Sequence, residues 1–315
     1  MSARRIVLPA SLFLILIFVS RDMRISIITP SFQQPEWLRL CAASVADQNT
    51  PGLEIEHIVQ DSMSGPEVAA AVSAFPQLRL VREKDQGMYD AINRGWEKAM
   101  GDVLCWLNCD EQYLPGTLKK VAEYFQEHPE VDVLCGDTVV MDGEGNYQCS
   151  RQVLPPRLAH TWVCTLPILS CSVFFRSKLI KEQGFKFNTQ LKAIGDADLI
   201  LRMLSARVRM GVLRDYLAAF GDDGENLNLK PHAQQERKIQ MHQAPLWIRL
   251  LRPVWMLQHR LRRLWHGLYR PVPFTYDIYT KTSPQQRVHF EVSQPTFYWK
   301  DRMRLHITPI IPGRN

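Results

Sequence analysis

Two adjacent carboxylates, Asp110 and Glu111, follow an apolar run that ends at Leu107. Carboxylate oxygens are the ligands that hard divalent cations such as Mg²⁺ and Mn²⁺ prefer. A cation held there could neutralise a diphosphate leaving group, so that the protein supplies position and charge rather than a covalent nucleophile. Taken alone, these residues with Asn108 also fit a solvated turn, because Asn and Asp favour turns.

Further acidic and polar residues lie in two earlier loops. Asp61 lies in the segment 60–65, Gln-Asp-Ser-Met-Ser-Gly, a loop able to hydrogen-bond a base or a ribose. The segment 85–87, Asp-Gln-Gly, leads into a helical run in which Asp90 and Asn93 share one side of the opening turns. For Asp90 alone the simpler role is favoured, an acid that interacts with the helix dipole.

Alternating strands and helices position these loops. Short apolar runs predict strands over residues 25–29, 55–59, 78–81, 103–107 and 131–134. Helical spacing predicts helices over 36–48 and 88–100, and another that opens at Pro115. This order indicates an α/β fold with a mostly parallel central sheet that is covered on both faces. Ligands bind beyond the carboxyl ends of such strands, where the polar loops fall.

The composition is that of a globular protein, with 46% hydrophobic and 22% charged residues. The net charge of +6 is a local feature, because residues 246–270 contain six arginines and no acidic residue. The seven cysteines form neither a C-x-x-C pair nor a cluster with zinc spacing, which indicates a reducing, cytosolic setting.

An apolar run over residues 6–19 is flanked by arginines on both sides. It is short for a transmembrane helix and lacks a clear small-residue cleavage site. Three interpretations stay open: a start codon assigned upstream of the true start at Met23, a short membrane-associating segment, or an export signal. The first is favoured.

Three segments together resemble those of family 2 glycosyltransferases. Residues 25–32 are similar to the family's opening strand and nucleotide loop. Residues 85–95 match the segment D-x-G-x-Y-D-A-x-N-x-G of one bacterial subgroup, and residues 101–111 resemble its stretch G-D-x-x-x-x-L-N-S-D-D. The resemblance covers residues 24–225 and implies a GT-A fold, a divalent metal (Mg²⁺ or Mn²⁺), a nucleotide-diphosphate sugar donor, commonly UDP-linked, and inversion at the anomeric carbon.

The resemblance also implies roles for individual residues. Asp110 matches the metal-binding acid, and Glu111 is expected to assist it. Asp61 matches the acid that recognises the base. The expected nucleotide-sugar contacts are Pro30, Ser31, Asp61, Asp85, Gly87, Asp90, Asn93 and Asn108.

An inverting transfer needs a carboxylate that deprotonates the acceptor hydroxyl as it attacks from the face opposite the leaving group. Residues 193–202 resemble the family's helix start E-D-x-D-L-x-L-R, and Asp196 matches its catalytic acid. Asp198 is less suited, because two helical steps place it about 200° around the axis from Asp196.

Five residues depart from the family pattern. Asn108 stands where many relatives have the first acid of a D-x-D motif, and Glu111 replaces the usual second Asp. Gly195 replaces a common Glu. Ser170 and Cys171 replace the His-Gln pair of the segment P-x-x-H-Q-S-x-F-F-R. The last two bear on the acceptor or on positioning of the diphosphate more than on the reaction type.

The tail beyond residue 226 lies outside the resemblance. After Pro253 it is predicted to form a helix that runs to Arg270. One side of this helix is apolar and the other is basic. The apolar side consists of Val254, Leu257, Leu261, Leu264 and Leu268, and the basic side of Arg252, Arg260, Arg263 and Arg270. Two alternatives stay open: contact with an anionic membrane, or docking of the apolar stripe on the catalytic domain. Nucleic-acid binding is not expected, since no recognised motif supports it.

We therefore expect an apolar leader over 1–22, a GT-A catalytic domain over 23–225 and a basic, helical C-terminal extension over 226–315. The expected function is inverting transfer of a sugar from a UDP-sugar to a glycan or lipid-linked acceptor in polysaccharide biosynthesis. The expected location is the cytoplasm, at the inner face of the cytoplasmic membrane. The alternatives are a non-catalytic nucleotide-sugar-binding or assembly protein and, more weakly, a nucleotidyltransferase. The latter lacks support because no glycine-rich phosphate loop follows the first strand.

Overall fold

A computed structural model describes residues 22–164, 166–222, 224 and 230–298. The first half of the chain alternates strands and helices, as the sequence predicts. The elements in chain order are β1 (Met23–Ser31), α1 (Pro35–Ala46), β2 (Leu53–Asp61), α2 (Pro66–Val72), β3 (Leu78–Arg82), α3 (Met88–Lys98), β4 (Val103–Trp106), β5 (Gln112–Tyr113), α4 (Thr117–Glu127) and β6 (Val133–Met141). The predicted apolar leader lies outside the described residues except for Asp22.

The second half contains more antiparallel pairs and more helices. Its elements are β7 (Tyr147–Arg151), α5 (Leu158–Val163), a 3₁₀ turn (Ser170–Ser172), β8 (Val173–Arg176), α6 (Ser177–Lys181), α7 (Gly195–Ser205), β9 (Met210–Gly221), α8 (Pro231–Gln243), α9 (Leu246–Leu250), α10 (Arg252–Trp265), β10 (Phe274–Ile278) and β11 (Val288–Val292). None of the described helices combines the length and the hydropathy needed to cross a bilayer.

The central sheet has the strand order β3-β2-β1-β4-β8-β6-β9-β5, with β7 beside β6. β1 pairs in parallel with both β2 and β4, and β2 pairs in parallel with β3. β8 is antiparallel to β4 and to β6, while β9 runs parallel to β6. The α/β fold with a largely parallel nucleotide half is therefore confirmed, and the antiparallel pairs of β8, β5 and β7 make the complete sheet mixed.

Both faces of β1 are buried, as its apolar sequence predicts. Ile25 and Ile27 face a core that includes α1 and α4, whereas Ile28 faces the core under α3. Side chains alternate across a strand, so one strand contributes to both cores. In the second core the indole of Trp96 stacks on the ring of Phe187 with centroids 5.1 Å apart. These two cores fix the sheet between its helical layers.

Residues 230–298 contain the helix predicted after Pro253, two further helices (α8 and α9) and a β-hairpin that the sequence did not predict. This hairpin, β10 with β11, packs against the catalytic sheet through a cluster that includes Tyr276 and Ile278. The side-chain amide of Gln112 exchanges two 2.8 Å hydrogen bonds with the backbone of Tyr279. The boundary between residues 225 and 226 stays a prediction, and the hairpin contributes to the packing of the sheet.

The face of α10 that contacts the protein is not the apolar one. Leu257 and Leu264 are 57% and 62% exposed, whereas Arg263 is only 8% exposed. The alternative in which the apolar stripe docks on the catalytic domain is therefore wrong. The helix also ends at Trp265 rather than at Arg270, because Gly267 adopts a left-handed conformation (φ +70°) that follows the helix end.

His57 generates a prediction about acid stability. It lies in β2, is buried, and its Nε2 is 2.9 Å from the hydroxyl of Thr29. Burial lowers the pKa of His57 to about 3, because the imidazolium would lose its hydration. Below about pH 6.5 the unfolded chain therefore binds a proton at His57 that the native chain does not bind. The free energy of unfolding consequently decreases as the pH falls below that value.

We expect the free energy of unfolding to fall by about 2 kcal/mol between pH 7 and pH 5 through this histidine alone. Urea unfolding at the two pH values measures the change. His57→Gln should remove that part of the pH dependence, while the exposed His266→Gln should retain it. An unchanged slope in His57→Gln would contradict the assignment.

Candidate functional site

A cavity of about 630 Å³ opens at the carboxyl ends of the parallel strands. β1 ends at Ser31, directly opposite Asp61 at the end of β2. The backbone N–H of Leu107 donates to the carbonyl of Ile28 at 3.0 Å and continues the β1–β4 pairing to the edge of the sheet. Parallel pairing therefore brings the loops after several strands to one place.

Seven of the predicted site residues line this cavity and four do not. Those in the lining are Pro30, Ser31, Asp85, Gly87, Asn108, Asp110 and Asp196. Asp61, Asp90, Asn93 and Glu111 lie behind it, with partners inside the protein. The cavity therefore contains three carboxylates contributed by three different segments of the chain.

The adjacent acids Asp110 and Glu111 point in different directions. Asp110 lines the cavity, whereas Glu111 is fully buried. The Glu111 carboxylate accepts hydrogen bonds from the backbone N–H of Asn108 at 2.8 Å and from the hydroxyl of Ser170 at 3.2 Å. Burial first, and then the charge of Asp110, raise the pKa of Glu111 to about 8. Glu111 thus braces the loop from behind, and Asp110 is the member of the pair that lines the cavity.

The departures at residues 170 and 171 have different consequences. The hydroxyl of Ser170 lines the cavity and bonds Glu111, so it takes part in the same bracing contact. Cys171 is fully buried and outside the lining. Of these two departures, only the one at Ser170 lines the cavity.

The carboxylate of Asp196 is presented by the first turn of α7. Three backbone N–H groups before this turn, those of Lys192, Ala193 and Ile194, donate to the carboxylate of Glu236 at 2.7, 3.0 and 3.2 Å. Glu236 belongs to α8, so a second helix satisfies the free N–H groups ahead of α7. Asp198 instead pairs with Arg202 at 2.8 Å, which agrees with its lesser suitability as a base.

Gly195, which replaces the family's common Glu, lies against the ring of Tyr89. A Cβ built at this glycine would lie 2.6 Å from a ring carbon of Tyr89, closer than Cβ atoms approach other atoms in proteins. The backbone N–H of Gly195 donates to the hydroxyl of Tyr89 at 3.0 Å. Glycine and tyrosine together therefore set the distance between α3 and the start of α7.

Asp61 organises its own loop. The carboxylate is fully buried and accepts bonds from the backbone N–H and the hydroxyl of Ser64, at 2.8 and 2.6 Å. Arg82 lies 3.6 Å away on the neighbouring strand. The next residue, Ser62, reaches the cavity. The predicted role of Asp61 in binding the base stays a prediction, and the contacts seen are those of a loop-ordering residue.

Some residues of the motif over 85–95 line the cavity, and others hold the surrounding structure in place. Asp85 accepts a bond from the N–H of Gly87 at 2.9 Å, and Gly87 has φ +123°, a conformation that favours glycine. Asp90 accepts from the N–H of Gln86 at 3.0 Å, as expected for an acid at a helix start. Asn93 exchanges two bonds with the backbone of Phe187, at 3.0 and 2.9 Å.

Sequence reasoning missed several residues at the site. Phe32 is 53% exposed at the cavity, and the ammonium of Lys84 lies 5.7 Å from its ring centroid. Phe32 directly follows Pro30 and Ser31 in the sequence. An aromatic residue just after a strand end could therefore have indicated a contact with the nucleotide. Glu236 lies in a polar helix, where its neighbours in sequence give no sign of its role.

The chemistry of the lining fits a hard cation with few protein ligands. Within the described residues, no three His, Cys, Asp or Glu side chains converge as a ready set of metal ligands. Asp110 offers a carboxylate, and the buried Oδ1 of Asn108 has no hydrogen-bond partner among the described residues. Mg²⁺ is usually held by one or two carboxylates together with substrate phosphates, so this donor set suits a cation that arrives with a nucleotide.

Known proteins resemble more than half of this chain. The family model for glycosyl transferase family 2 matches residues 26–185, just over half of the chain. A PGL/p-HBAD biosynthesis glycosyltransferase of Mycobacterium bovis is 29% identical over 190 residues, which cover 57% of this chain and 69% of that protein. The amylovoran biosynthesis glycosyltransferase AmsE of Erwinia amylovora is 27% identical over 191 residues, which cover 59% and 70% of the two chains.

A solved structure shares the fold. The crystal structure of residues 1–349 of TarS from Staphylococcus aureus, in complex with UDP-GlcNAc, superposes with a TM-score of 0.55 at 20% identity. The match covers 71% of this chain and 68% of that one. The match to the family model over more than half of the chain shows that it belongs to glycosyl transferase family 2, and its α/β fold, shared with TarS, is a GT-A fold.

Proposed function

We propose that this glycosyltransferase moves a sugar, with inversion, from a UDP-sugar to a glycan or lipid-linked acceptor in polysaccharide biosynthesis. The single observation that carries the proposal is that Asp110 and Asp196 line one cavity at the carboxyl ends of the strands. The complex of TarS with UDP-GlcNAc supports the choice of donor, and the relatives named for PGL/p-HBAD and amylovoran biosynthesis support the class of product.

The nucleotide half of the donor would bind at the ends of β1, β2 and β3. The exposed ring of Phe32 offers a flat face for a base, and Ser62 and Asp85 offer hydrogen-bonding groups in the same lining. Lys84, which lies over Phe32, adds a positive charge beside a negatively charged nucleotide. Pro30, Ser31 and Gly87 would then contact the nucleotide through the backbone that they shape.

Asp110 and Asn108 would hold a divalent cation, Mg²⁺ or Mn²⁺, together with the donor diphosphate. When bound, such an ion neutralises the negative charge that develops on the leaving group. Glu111 is not proposed as a ligand, because its carboxylate is buried behind the loop and bonded to Asn108 and Ser170. Its part is to hold Asn108 and Asp110 at the cavity wall.

Asp196 would act as the general base. Its carboxylate accepts the proton of the acceptor hydroxyl while the acceptor oxygen attacks the anomeric carbon of the donor. The bond between that carbon and the diphosphate oxygen breaks in the same displacement, and UDP leaves with its electron pair. Because attack and departure occur on opposite faces, the configuration at the anomeric carbon inverts.

The proposed acceptor and location follow from the same chemistry. A UDP-sugar donor implies a cytoplasmic site of action, and a lipid-linked acceptor implies the inner face of the cytoplasmic membrane with peripheral membrane contact. No nucleic-acid partner is proposed.

We expect Asp196→Asn to lower turnover of the donor at least a hundredfold, because the amide cannot accept the proton. The donor for this assay is chosen from UDP-glucose, UDP-galactose and UDP-GlcNAc. It is the one that raises the melting temperature of the protein most when Mn²⁺ is present. Release of UDP measures turnover, and titration calorimetry measures donor affinity, which should be unchanged.

Asp198→Asn is the matched control in the same helix turn, and it should keep turnover within about threefold, since a partly exposed ion pair contributes little. Full turnover in Asp196→Asn would exclude the proposed base. If no UDP-sugar turned over in the wild type, a non-catalytic nucleotide-sugar-binding protein would become the better description.

Glu236 is proposed as a positioning residue for Asp196. Its carboxylate accepts hydrogen bonds from the backbone N–H groups of residues 192, 193 and 194. Hydrogen bonds to an ionised carboxylate are stronger than those to a neutral acceptor. We expect Glu236→Gln to lower kcat about tenfold, because a small displacement of Asp196 misaligns proton transfer. KM for the donor should not change, since the nucleotide contacts lie elsewhere.

The exposed neighbour Gln235→Ala is the matched control and should retain wild-type kcat. A lower melting temperature in Glu236→Gln, together with the loss of kcat, would indicate a general folding defect instead. A change confined to KM would also contradict a positioning role.

A further inference from the structure

The outward faces of α9 and α10 form one apolar surface, which we term the α9/α10 surface. Nine of the fifteen strongly exposed large apolar side chains in the described part of the chain lie within residues 246–265. They include Trp247, Leu250, Leu257, Leu261 and Trp265, which are between 55% and 89% exposed. Such a concentration on a globular protein usually marks an interaction site.

The opposite face of α10 already has its partners. Arg263 donates to the carbonyl of Gln152 at 2.9 Å, and Arg262 donates to the carbonyl of Pro155 at 3.1 Å. The ring of His259 stacks on that of His160 with centroids 4.0 Å apart. Rotating the helix to bury its leucines would break all of these contacts, so the exposed orientation of the leucines is built into the fold.

α9 is held in the same orientation. Ile248 is buried beside α5, and its carbonyl accepts a 3.1 Å bond from the indole N–H of Trp255. The ring of Trp247 meets that of Trp255 edge-on, with centroids 5.8 Å apart. The two helices therefore present their apolar side chains as one continuous surface.

The charge around this surface indicates its partner. Between Glu236 and Asp277 the chain has no acidic residue and eight lysines and arginines, of which Arg262 and Arg263 are bonded on the opposite face. Arg260 is exposed and lies three positions after Leu257, so it borders the apolar stripe. Leucines and tryptophans flanked by arginines suit the interface of an anionic bilayer, where the apolar side chains enter and the cations meet lipid phosphates.

A second copy of the chain is a poorer occupant of the same surface. A two-fold contact would place this basic segment against its own copy, and like charges across an interface oppose association. We propose that the α9/α10 surface docks the protein on an anionic membrane, with its leucines and tryptophans at the level of the lipid headgroups.

The α9/α10 surface is linked to the candidate active site by the packing of α5. α5 packs against α9 and α10 on one side and against α7, which presents Asp196, on another. Docking would hold the acceptor side of the cavity at a fixed height above the bilayer. That consequence rests on the proposed function with a lipid-linked acceptor, whereas the membrane contact itself does not.

Flotation of the full chain with vesicles tests the docking without any donor or acceptor. We expect the protein to float with vesicles of phosphatidylcholine containing 30% phosphatidylglycerol, and to stay at the bottom with pure phosphatidylcholine. The double variant Leu257→Gln/Leu261→Gln should bind at least about tenfold more weakly, because binding scales with the apolar area inserted. Arg260→Gln should weaken binding to the anionic vesicles.

Met100→Gln is the matched control, because Met100 is 65% exposed in the loop before β4. It should bind anionic vesicles as the wild type does. Donor-induced thermal stabilisation should be unchanged in every variant, so loss of membrane binding and loss of the proposed donor site are separable. Since the altered leucines are exposed, the variants should keep the wild-type melting temperature.

Fluorescence quenching locates the contact. Vesicles with dibrominated phosphatidylcholine should quench the wild-type tryptophan emission, and Trp265→Phe should lose part of that quenching. Wild-type protein that binds neither vesicle would overturn the proposal. So would equal binding by Leu257→Gln/Leu261→Gln, which would place the contact elsewhere in the chain. A concentration-dependent dimer that this double variant abolishes would assign the surface to a second copy instead.

Discussion

Parallel pairing of β1 with β2 and β4 is the constraint on which the rest of the structure depends. It aligns the ends of the strands at one edge, so that Ser31 lies opposite Asp61 and the loop after β4 follows beside Pro30. The hydrogen bonds of the ladder and the burial of Ile25, Ile27 and Ile28 on both faces hold that register. A slip of one residue would turn these side chains to the wrong faces and separate the loops that line the cavity.

Around this edge, carboxylates that are bonded inside the protein support residues that line the cavity. Glu111 braces the loop that carries Asp110, Asp61 orders the loop that carries Ser62, and Glu236 satisfies the N–H groups ahead of Asp196. In each case the supporting acid is bonded inside the protein, whereas its neighbour faces the cavity. Backbone N–H groups without partners would be costly to bury, so these contacts both stabilise the loops and fix their direction.

The strands and their polar ends were predictable, because apolar runs that stop at Asp, Asn or Gly have a direct physical meaning. The direction of a single side chain was not. Asp110 and Glu111 are adjacent carboxylates, and the hydroxyl of Ser170 that bonds Glu111 lies 59 residues further along the chain. Amphipathic spacing likewise showed two faces of α10 but not which of them meets the protein, since that depends on carbonyl groups offered by residues 152–155. The hairpin after α10 was missed because the tail was interpreted as helical throughout.

We propose that Asp110, and not Glu111, binds the metal that accompanies a nucleotide in this cavity. A crystal structure of the chain with UDP and Mn²⁺, measured at the manganese absorption edge, tests this assignment most directly. We expect one anomalous peak in the cavity beside the carboxylate of Asp110, with Glu111 still bonded to Asn108 and Ser170. A manganese ion bound by Glu111 without Asp110, or UDP bound away from this cavity, would contradict it.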